Sequence, residues 1–305
     1  MKKSSLLGSI LLLVTAMIWG SAFVVQSVGM DYVEPFTFNA VRLIFGGIVL
    51  LPVIFVRGRN AKRKGVYVKS DASTAKNLVV GGIICGGVLF LSSCLQQIGL
   101  NEGTSSGKAG FITAFYILLV PLCGLFMKKK VRPVIWLCVI AALAGLYLLC
   151  VKEGFSIALS DIYVLLCSFG FTAHILVIDK YSPLVDGVKL SCIQFFVAGF
   201  LAMICMFAFE HPQLSQILAA WPLILYAGGL SCGVAYTLQI IAQKNVQPTI
   251  ASLLMSMESV FAVLAGIVFL GEVPTYREFT GCALMFAAII IAQLPERKKE
   301  TDTAA

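Results

Sequence analysis

Ten apolar stretches, each about 20 residues long, fill almost the whole of this sequence of 305 residues. An α-helix rises 1.5 Å per residue and the hydrocarbon core of a bilayer is about 30 Å thick, so about 20 apolar residues make one crossing. Charged residues make up only 12% of the chain, about half of what a soluble domain carries. The sequence therefore predicts an all-α integral membrane protein with ten transmembrane helices.

The predicted spans are separated by short polar segments, several of which contain proline. They cover residues 6–29, 35–56, 77–100, 104–127, 132–151, 157–179, 188–209, 217–243, 247–270 and 275–294. The longest polar segment, from Arg57 to Lys76, is predicted to be a loop. Pro121 is predicted to kink the fourth helix, because proline removes a backbone hydrogen bond.

The basic residues are distributed unevenly between the two sides of the predicted membrane. With the N-terminus in the cytoplasm, 19 of the 23 lysines and arginines lie on the cytoplasmic side and 3 on the outer side, while Arg42 lies within a helix. Such an excess is the positive-inside pattern. It predicts that both termini are cytoplasmic, and it explains the net charge of +8 without a nucleic-acid partner.

The chain also carries a weak internal duplication. The motif L-Q-x-I at residues 95–98 recurs at residues 238–241, an offset of 143 residues. Because five helices per copy is an odd number, the second copy would lie upside down in the membrane. We predict a first five-helix repeat over 6–151, a second, inverted repeat over 157–294 and a polar cytoplasmic tail over 295–305.

The same offset aligns two polar helix faces, one in each predicted repeat. Ala109, Thr113, Tyr116 and Val120 of the fourth helix align with Ser252, Ser256, Ser259 and Val263 of the ninth. Polar faces within a bilayer point at each other, at water or at a ligand. Two matching faces predict a central cavity, and interhelical hydrogen bonding without a cavity is the alternative.

Polar and aromatic side chains also share faces on the first, third and eighth helices. Aromatic and amide groups suit a polar organic solute better than a bare ion, although they also serve in packing between helices. The residues predicted to line a substrate cavity are Trp19, Gln26, Ser93, Gln96, Thr113, Tyr116, Tyr236, Gln239, Ser252, Ser256 and Ser259.

Two charged residues lie inside predicted spans. Glu258 is near the middle of the ninth helix, where a charge costs about 3 kcal/mol unless it is protonated or paired, so it is a candidate for proton coupling. On a continuous helix it lies about 120° from the serine face, and a carboxyl that holds two helices together is therefore the alternative. Arg42 is a candidate to bind a substrate carboxylate, to pair with a carboxyl such as Glu258, or to snorkel outward.

Three other titratable residues are assigned to structural or solvated positions. His174 faces away from the polar residues of the sixth helix and is predicted to be structural. Lys108 and Asp161 lie close to the outer surface and are predicted to be solvated.

Cysteine and histidine patterns give no sign of catalysis. The ten cysteines all lie inside apolar stretches without C-x-x-C spacing, and the chain has only two histidines. A membrane metalloprotease would need H-E-x-x-H, which is not in the sequence. We therefore predict no catalytic residue, no metal site and no cofactor, and a protein that is not an enzyme.

Several motifs together resemble the EamA-type branch of the drug/metabolite transporter superfamily. They are W-G-S-A-F at 19–23, Pro35, Arg42, K-A-G-F-I-T-A at 108–114, Pro121, the basic turn at 128–130, S-M-E-S-V-F at 256–261 and L-G-E at 270–272. The resemblance implies a carrier of ten helices in two inverted repeats. Such carriers move small metabolites, often amino acids or drugs, frequently as exporters and in some members with proton coupling. This sequence has Ser259 where proline is common in the family, and Lys129 near the position that matches Glu272.

Taken together, these features predict a secondary active transporter, a multi-pass protein of the inner (cytoplasmic) membrane. It would move a small organic metabolite, such as an amino acid, a related metabolite or a drug, by alternating access. Export is the expected direction, and protons are one candidate coupling ion. A channel-like facilitative pore and an intramembrane enzyme are the alternatives. The solute and the lipid bilayer are the expected partners, while the substrate and the oligomeric state stay open.

Overall fold

The computed structural model describes residues 3–64, 71–128, 131–151, 157–270 and 275–294. The predicted tail at 295–305, Lys129 and Glu272 lie outside the described residues, as do several of the basic residues that enter the charge count.

Every regular element in the described residues is a helix. The first half contains α1 (Lys3–Gly29), α2 (Pro35–Arg63), α3 (Ala72–Asn101), α4 (Ser106–Thr113), α5 (Tyr116–Phe126) and α6 (Pro133–Cys150). The second half contains α7 (Leu159–Tyr181), α8 (Gly187–Phe209), α9 (Leu214–Ala219), α10 (Trp221–Ile224), a π-helical segment (Leu225–Tyr236), α11 (Thr237–Gln243), α12 (Pro248–Met255), α13 (Glu258–Leu270) and α14 (Tyr276–Gln293).

Within the described residues, eight helical stretches are long and apolar enough to cross a bilayer. They are Ser5–Gly29, Pro35–Arg63, Ala72–Asn101, Ser106–Phe126, Pro133–Cys150, Leu159–Tyr181, Gly187–Phe209 and Trp221–Gln243. These stretches correspond to the first eight predicted spans. The ninth and tenth predicted spans are also helical, and their crossing of the membrane stays a prediction.

The predicted loop between the second and third spans is shorter than the sequence suggested. α2 continues for about two turns past the start of this loop at Arg57, and α3 begins before its end at Lys76. Asp71 caps α3 by accepting a hydrogen bond from the backbone amide of Thr74 at 3.0 Å. The prediction was wrong because an apolar stretch measures the bilayer crossing, whereas capping and helix-forming basic residues set the helix ends.

The predicted fourth helix is broken, and the break is not at its proline. α4 ends at Thr113 and α5 begins at Tyr116, so the interruption lies at Ala114 and Phe115. Backbone hydrogen bonds donated by Phe115, Ile117 and Leu118 span three residues rather than four, which tightens the chain locally. Pro121, the predicted kink site, lies six residues after Phe115 and inside α5.

The predicted ninth helix is broken in the same way. α12 ends at Met255 and α13 begins at Glu258, which leaves the interruption at Ser256 and Met257. α4 and α12 are both 8 residues long, and their starts lie 142 residues apart. The two broken helices therefore have the same plan.

The predicted eighth span at 217–243 is a composite of short helices around the π-helical segment. This segment approaches α2 closely: a Cβ atom on Gly228 would lie 2.6 Å from the carbonyl oxygen of Arg42. Only glycine permits that approach. π-Helical turns are often found beside functional sites.

Four helix pairs have the most extensive packing in the described residues. α2 lies along α8, α3 lies against both α7 and α8, and α6 lies along α14. α1 contacts the π-helical segment and α11 to α13, so it joins the two halves.

Glu210, directly after α8, ties that helix to the start of α2. Its carboxylate oxygens accept hydrogen bonds from the backbone amides of Phe36 and Thr37, each at 2.7 Å, and from the Thr37 hydroxyl at 2.7 Å. A carboxylate in this position satisfies free N–H groups and complements the helix dipole.

Arginines clamp α6 and α14 together at both ends. Arg132, directly before α6, donates hydrogen bonds to the carbonyl oxygens of Leu294 at 2.8 Å and Ala292 at 2.5 Å. At the opposite end, the guanidinium carbon of Arg277 lies 5.2 Å from the centre of the Tyr147 ring. The start of each helix thus meets the end of the other, and the pair is antiparallel.

Glycines set the distance between these two helices. A Cβ atom on Gly145 would lie 2.8 Å from the carbonyl oxygen of Gly281, and a Cβ atom on Gly281 would lie 2.7 Å from that of Gly145. Neither position can accept a side chain without moving backbone, so the last helix of one half packs directly on the last helix of the other.

Candidate functional site

A cavity of about 50 Å³ lies inside the helical bundle. It is lined by Trp19, Ala22, Phe23, Gln26, Arg42, Gln96, Thr113, Tyr116, Phe171, His174, Ile175, Ser231, Tyr236, Gln239, Met255 and Glu258. Because about 10–15 Å³ holds one water molecule, this space admits a few waters.

The two helix breaks meet at this cavity. Thr113 and Tyr116 flank the first break, Met255 and Glu258 flank the second, and all four line the wall. Tyr116 Oη donates a long hydrogen bond of 3.4 Å to Glu258 Oε1. Glu258 is 4% exposed and is the first residue of α13, where backbone N–H groups lack helical partners.

Tyr236 is the centre of an aromatic cluster on the wall. Its ring centroid lies 4.6 Å from that of Trp19, 5.8 Å from that of His174 and 5.9 Å from that of Phe195. Tilted and edge-to-face contacts of this kind fix ring orientation. The cluster gives the cavity a rigid aromatic side.

Glutamine amides form the polar part of the wall. Gln96 Nε2 donates to Thr113 Oγ1 at 3.1 Å, and Gln239 Nε2 donates to Gln243 Oε1 at 2.9 Å. Within the described part of the chain, the buried Oε1 atoms of Gln26 and Gln239 receive no hydrogen bond. A buried acceptor without a donor is costly, so these oxygens are available to water or to a solute.

Arg42 is a buried cation with neutral neighbours. It is 4% exposed, its Nε donates to Asn39 Oδ1 at 2.9 Å, and its guanidinium carbon lies 5.5 Å from the centre of the Phe38 ring. No carboxylate of the described residues lies within 4.0 Å of its guanidinium nitrogens. The predicted alternatives of snorkelling outward and of direct pairing with Glu258 are therefore wrong for this conformation.

Most of the side chains predicted to line a cavity lie on its wall. Those that do are Trp19, Gln26, Gln96, Thr113, Tyr116, Tyr236 and Gln239, together with the charged candidates Arg42 and Glu258. Those that do not are Ser93, Ser252, Ser256 and Ser259.

Two serines of the ninth helix, Ser252 and Ser256, form hydrogen bonds within their own helix. Ser252 Oγ donates to the carbonyl oxygen of Thr249 at 2.8 Å, and Ser256 Oγ donates to that of Leu253 at 2.7 Å. A serine hydroxyl can bond back to its own backbone, so a serine face does not require a cavity. Ser259 is buried as well, at 7% exposure.

Ser93 on the third helix is buried away from the cavity. Its side chain is 1% exposed, and its carbonyl oxygen accepts a hydrogen bond from Asn39 Nδ2 at 3.2 Å. Its contribution is to hold the asparagine that positions Arg42.

The structural offset between the broken helices corrects the sequence alignment. Both breaks and both second segments lie 142 residues apart, not 143. Tyr116 therefore corresponds to Glu258, and Thr113 to Met255. One residue turns a helix by about 100°, and that is why the alignment selected Ser259 instead of its neighbour.

Sequence reasoning missed the contribution of α7. Phe171, His174 and Ile175 all line the cavity, and their spacing of three and four residues is that of one helix face. His174 Nε2 also lies 3.0 Å from Gln194 Oε1, so this side chain, for which only a structural role was predicted, both contacts another helix and lines the cavity. The spacing is visible in the sequence, but Phe171 and Ile175 are apolar, so this face does not stand out from the apolar residues around it.

Lys108 and Asp161 form a mostly buried ion pair, so the prediction that they are solvated is wrong. Their side chains are 19% and 4% exposed. The Thr104 hydroxyl also donates to Asp161 Oδ1 at 3.0 Å. A position near a helix end indicates depth in the membrane, not whether another helix covers the side chain.

A larger crevice of about 520 Å³ lies beside the cavity. It is lined by Val120, Gly124, Val131, Leu176, Asp179, Pro183, Gln243, Lys244, Asn245, Val246, Gln247, Pro248 and Thr249. Gln243 lines the crevice, and its side chain bonds to Gln239 and to the carbonyl oxygen of Ile175 at 3.2 Å. Gln239 and Ile175 line the cavity, so Gln243 connects the two linings.

The cavity wall carries groups that can bind a polar solute. It offers one cation, one carboxyl group, amide oxygens and aromatic faces. In the described part of the chain, no three histidine, cysteine, aspartate or glutamate side chains are arranged to hold a metal ion.

Known proteins resemble this chain over nearly its whole length. An uncharacterized transporter of Archaeoglobus fulgidus is 30% identical over 287 residues, which cover 93% of this chain and 84% of the relative. The uncharacterized transporter YwfM of Bacillus subtilis is 25% identical, covering 97% of each chain. The uncharacterized inner membrane transporter YedA of Escherichia coli is 25% identical, covering 91% of this chain and 87% of the relative.

A solved crystal structure has the same fold, with a TM-score of 0.72 at 18% identity, and the match covers 94% of this chain and 98% of that one. The model of the EamA-like transporter family matches residues 6–151 and again residues 158–293. These matches confirm the resemblance seen in the motifs. The protein is a multi-pass membrane transporter and belongs to the EamA-like transporter family.

Proposed function

We propose that this protein is a secondary active transporter that moves a small organic solute across the cytoplasmic membrane by alternating access. Ten spans in two inverted halves, 6–151 and 157–294, would rock around the cavity, with both termini in the cytoplasm. The substrate would be an amino acid, a related metabolite or a drug, as the family resemblance implies.

One observation carries this proposal: a cavity whose wall includes polar and charged side chains is lined by both halves of the chain and by both broken helices. Broken helices at a binding site are a recurring feature of transporters built from repeats. The space of about 50 Å³ holds only a few waters. Admission of an organic solute therefore requires the helices to separate, as in a carrier.

The larger crevice supports a route from one side. It contains Lys244 and lies at the end of the bundle where the basic residues concentrate, which the positive-inside pattern assigns to the cytoplasm. Movement of Gln243 away from Gln239 and Ile175 would join the crevice to the cavity. An exporter would load its solute by this route, and export is the direction we propose.

Glu258 is the proposed proton-coupling residue. Its carboxyl group lies on the cavity wall, is 4% exposed and has Tyr116 as its hydrogen-bond donor. Among the described residues, no cation pairs with it. A carboxyl group that meets the solute site can exchange protons with either side as the cavity opens.

The experiment is a flux screen with purified protein in proteoliposomes. Metabolites and drugs are tested with and without an imposed pH gradient, and with solute preloaded on the opposite side. We expect saturable uptake that is accelerated by preloaded solute. Flux without saturation or acceleration would indicate a pore, and chemical conversion of the solute would indicate an enzyme.

A matched pair of variants links this activity to the cavity. Gln239→Leu removes an amide from the wall and should lower the flux at least fivefold. Ser252→Ala changes a buried polar side chain on α12 that is not on the wall, and should leave the flux near the wild-type value. Equal losses in both variants would count against the cavity as the binding site.

A further inference from the structure

The Arg42 side chain is buried, and no carboxylate of the described residues pairs with it. Its side chain is 4% exposed and lies on the cavity wall. Arg57–Asp186 and Lys108–Asp161 form ion pairs in the described part of the chain, and neither involves Arg42. A buried cation inside a membrane bundle is unfavourable unless it is paired in at least one state of the protein.

The surrounding residues orient this cation toward the cavity and do not neutralise it. Asn39 Oδ1 accepts the Nε–H, and Asn39 is held in turn by the carbonyl oxygen of Ser93. The Phe38 ring lies 5.5 Å from the guanidinium carbon. With Nε occupied, the two Nη groups are the donors that remain, in the fork geometry that matches a carboxylate.

The neighbouring wall is aromatic. Trp19 and Tyr236 contact each other at 4.6 Å between centroids, and both line the same cavity as Arg42. An anion bound at the guanidinium would therefore have apolar, aromatic surface within reach for the rest of the molecule.

We propose that Arg42 binds the anionic group of the transported solute, so that the substrates are small organic anions with an apolar or aromatic body. The inference rests on the proposed function, because it assigns the missing counter-charge to the solute that the carrier would bind. Glu258 would then face a different part of the solute, since it makes no ion pair with Arg42.

The test compares carboxylates with their neutral amides. Benzoate and phenylacetate, with benzamide and phenylacetamide as partners, are measured by equilibrium dialysis against protein in lipid nanodiscs. Wild type should bind each carboxylate at least tenfold more tightly than its amide, and Arg42→Gln should remove that preference. Arg42→Lys keeps the charge without the fork and should give an intermediate preference.

Two further variants keep the test valid if Arg42→Gln fails to fold. Asn39→Asp leaves Arg42 in place and supplies an internal counter-charge, so it should reduce carboxylate binding at least fivefold and leave amide binding unchanged. Arg57→Gln removes an exposed arginine paired with Asp186 and should change neither. A carboxylate preference that survives in Asn39→Asp, or one that wild type never has, overturns the proposal.

Flux measurements separate this inference from the proposed function. Saturable counterflow of neutral or cationic solutes, without a carboxylate preference, would overturn the anion site and leave the carrier intact. Carboxylate binding that depends on Arg42, without counterflow of any solute, would support the site and overturn the carrier.

Discussion

The two broken helices, α4 with α5 and α12 with α13, have the same plan and carry different chemistry. Each begins with an 8-residue segment that ends at a two-residue break. The first break is flanked by the hydroxyl groups of Thr113 and Tyr116, the second by the thioether of Met255 and the carboxyl of Glu258. The shared plan of the two broken helices sets where the wall of the cavity lies. The side chains of each half separately determine which chemical groups line that wall.

The breaks also differ in how their hydroxyl groups are bonded. In the second, Ser256 Oγ donates to the carbonyl oxygen of Leu253 and competes with the helical backbone bond there. In the first, the Thr113 hydroxyl accepts from Gln96 Nε2 on α3 and lies 3.6 Å from Cys167 Sγ. The hydroxyl at the first break therefore bonds to another helix, and the hydroxyl at the second bonds to its own.

The largest expected effect is on coupling at the second break. Glu258→Gln keeps the shape of the side chain but removes its ability to take up a proton, so transport driven by a pH gradient should fall at least 100-fold, equivalent to about 2.7 kcal/mol. Counterflow at equal pH should continue. Ser259→Ala is the control, and pH-driven flux in proteoliposomes is the measurement. Undiminished pH-driven flux in Glu258→Gln would show that the two breaks do not differ in proton coupling.

The next largest effect concerns stability at the first break. Thr113→Val leaves the buried amide of Gln96 without its acceptor, which should cost about 1–2 kcal/mol of unfolding free energy. Ser256→Ala removes only a bond within one helix and should change stability by about 0.5 kcal/mol or less. Denaturant unfolding in mild detergent measures both. Equal costs would mean that the two breaks depend on their hydroxyl groups alike.

A smaller effect is expected for the contact between the breaks. Tyr116→Phe removes the donor of the long hydrogen bond to Glu258 and keeps the ring. Because a 3.4 Å hydrogen bond is weak, pH-driven flux should fall about threefold, equivalent to about 0.6 kcal/mol. A loss as large as that of Glu258→Gln would show that tyrosine and carboxyl act as one unit.

The smallest effect is expected for the proline. Pro121→Ala restores a backbone donor inside α5 but lies six residues beyond Phe115, so the break should remain and stability should change by about 0.5 kcal/mol or less. Distances between spin labels on α4 and α5 report the break. A continuous helix in this variant would make the proline the cause after all.

The positions of the first eight spans were predictable because burial in lipid imposes a length that the apolar pattern reveals. Wall residues on unbroken helices were also predictable, as Trp19 and Gln26 on α1 illustrate, because their faces follow from 100° per residue. Both rules assume a continuous helix, so they could not reveal the breaks.

The errors in the residues predicted at the ninth helix have two physical origins. A run of serines looks polar in sequence, yet each hydroxyl can satisfy itself on its own backbone, as Ser252 does. The repeat offset was also one residue too long for this helix, and the resulting rotation exchanged Glu258 for Ser259. The sequence left three roles open for Arg42, because its spacing to Asn39 does not show whether the arginine side chain is buried.

The antiparallel clamp between α6 and α14 has a consequence for how the chain is made. α14 is the last described helix to leave the ribosome, and until it arrives the glycine surface of α6 has no partner and Arg132 has no carbonyl oxygens to bind. The packing surface of α6 is therefore completed only after the second half of the chain has been made as far as α14. Loss of α14 would therefore leave the packing surface of α6, in the first half of the chain, without its partner.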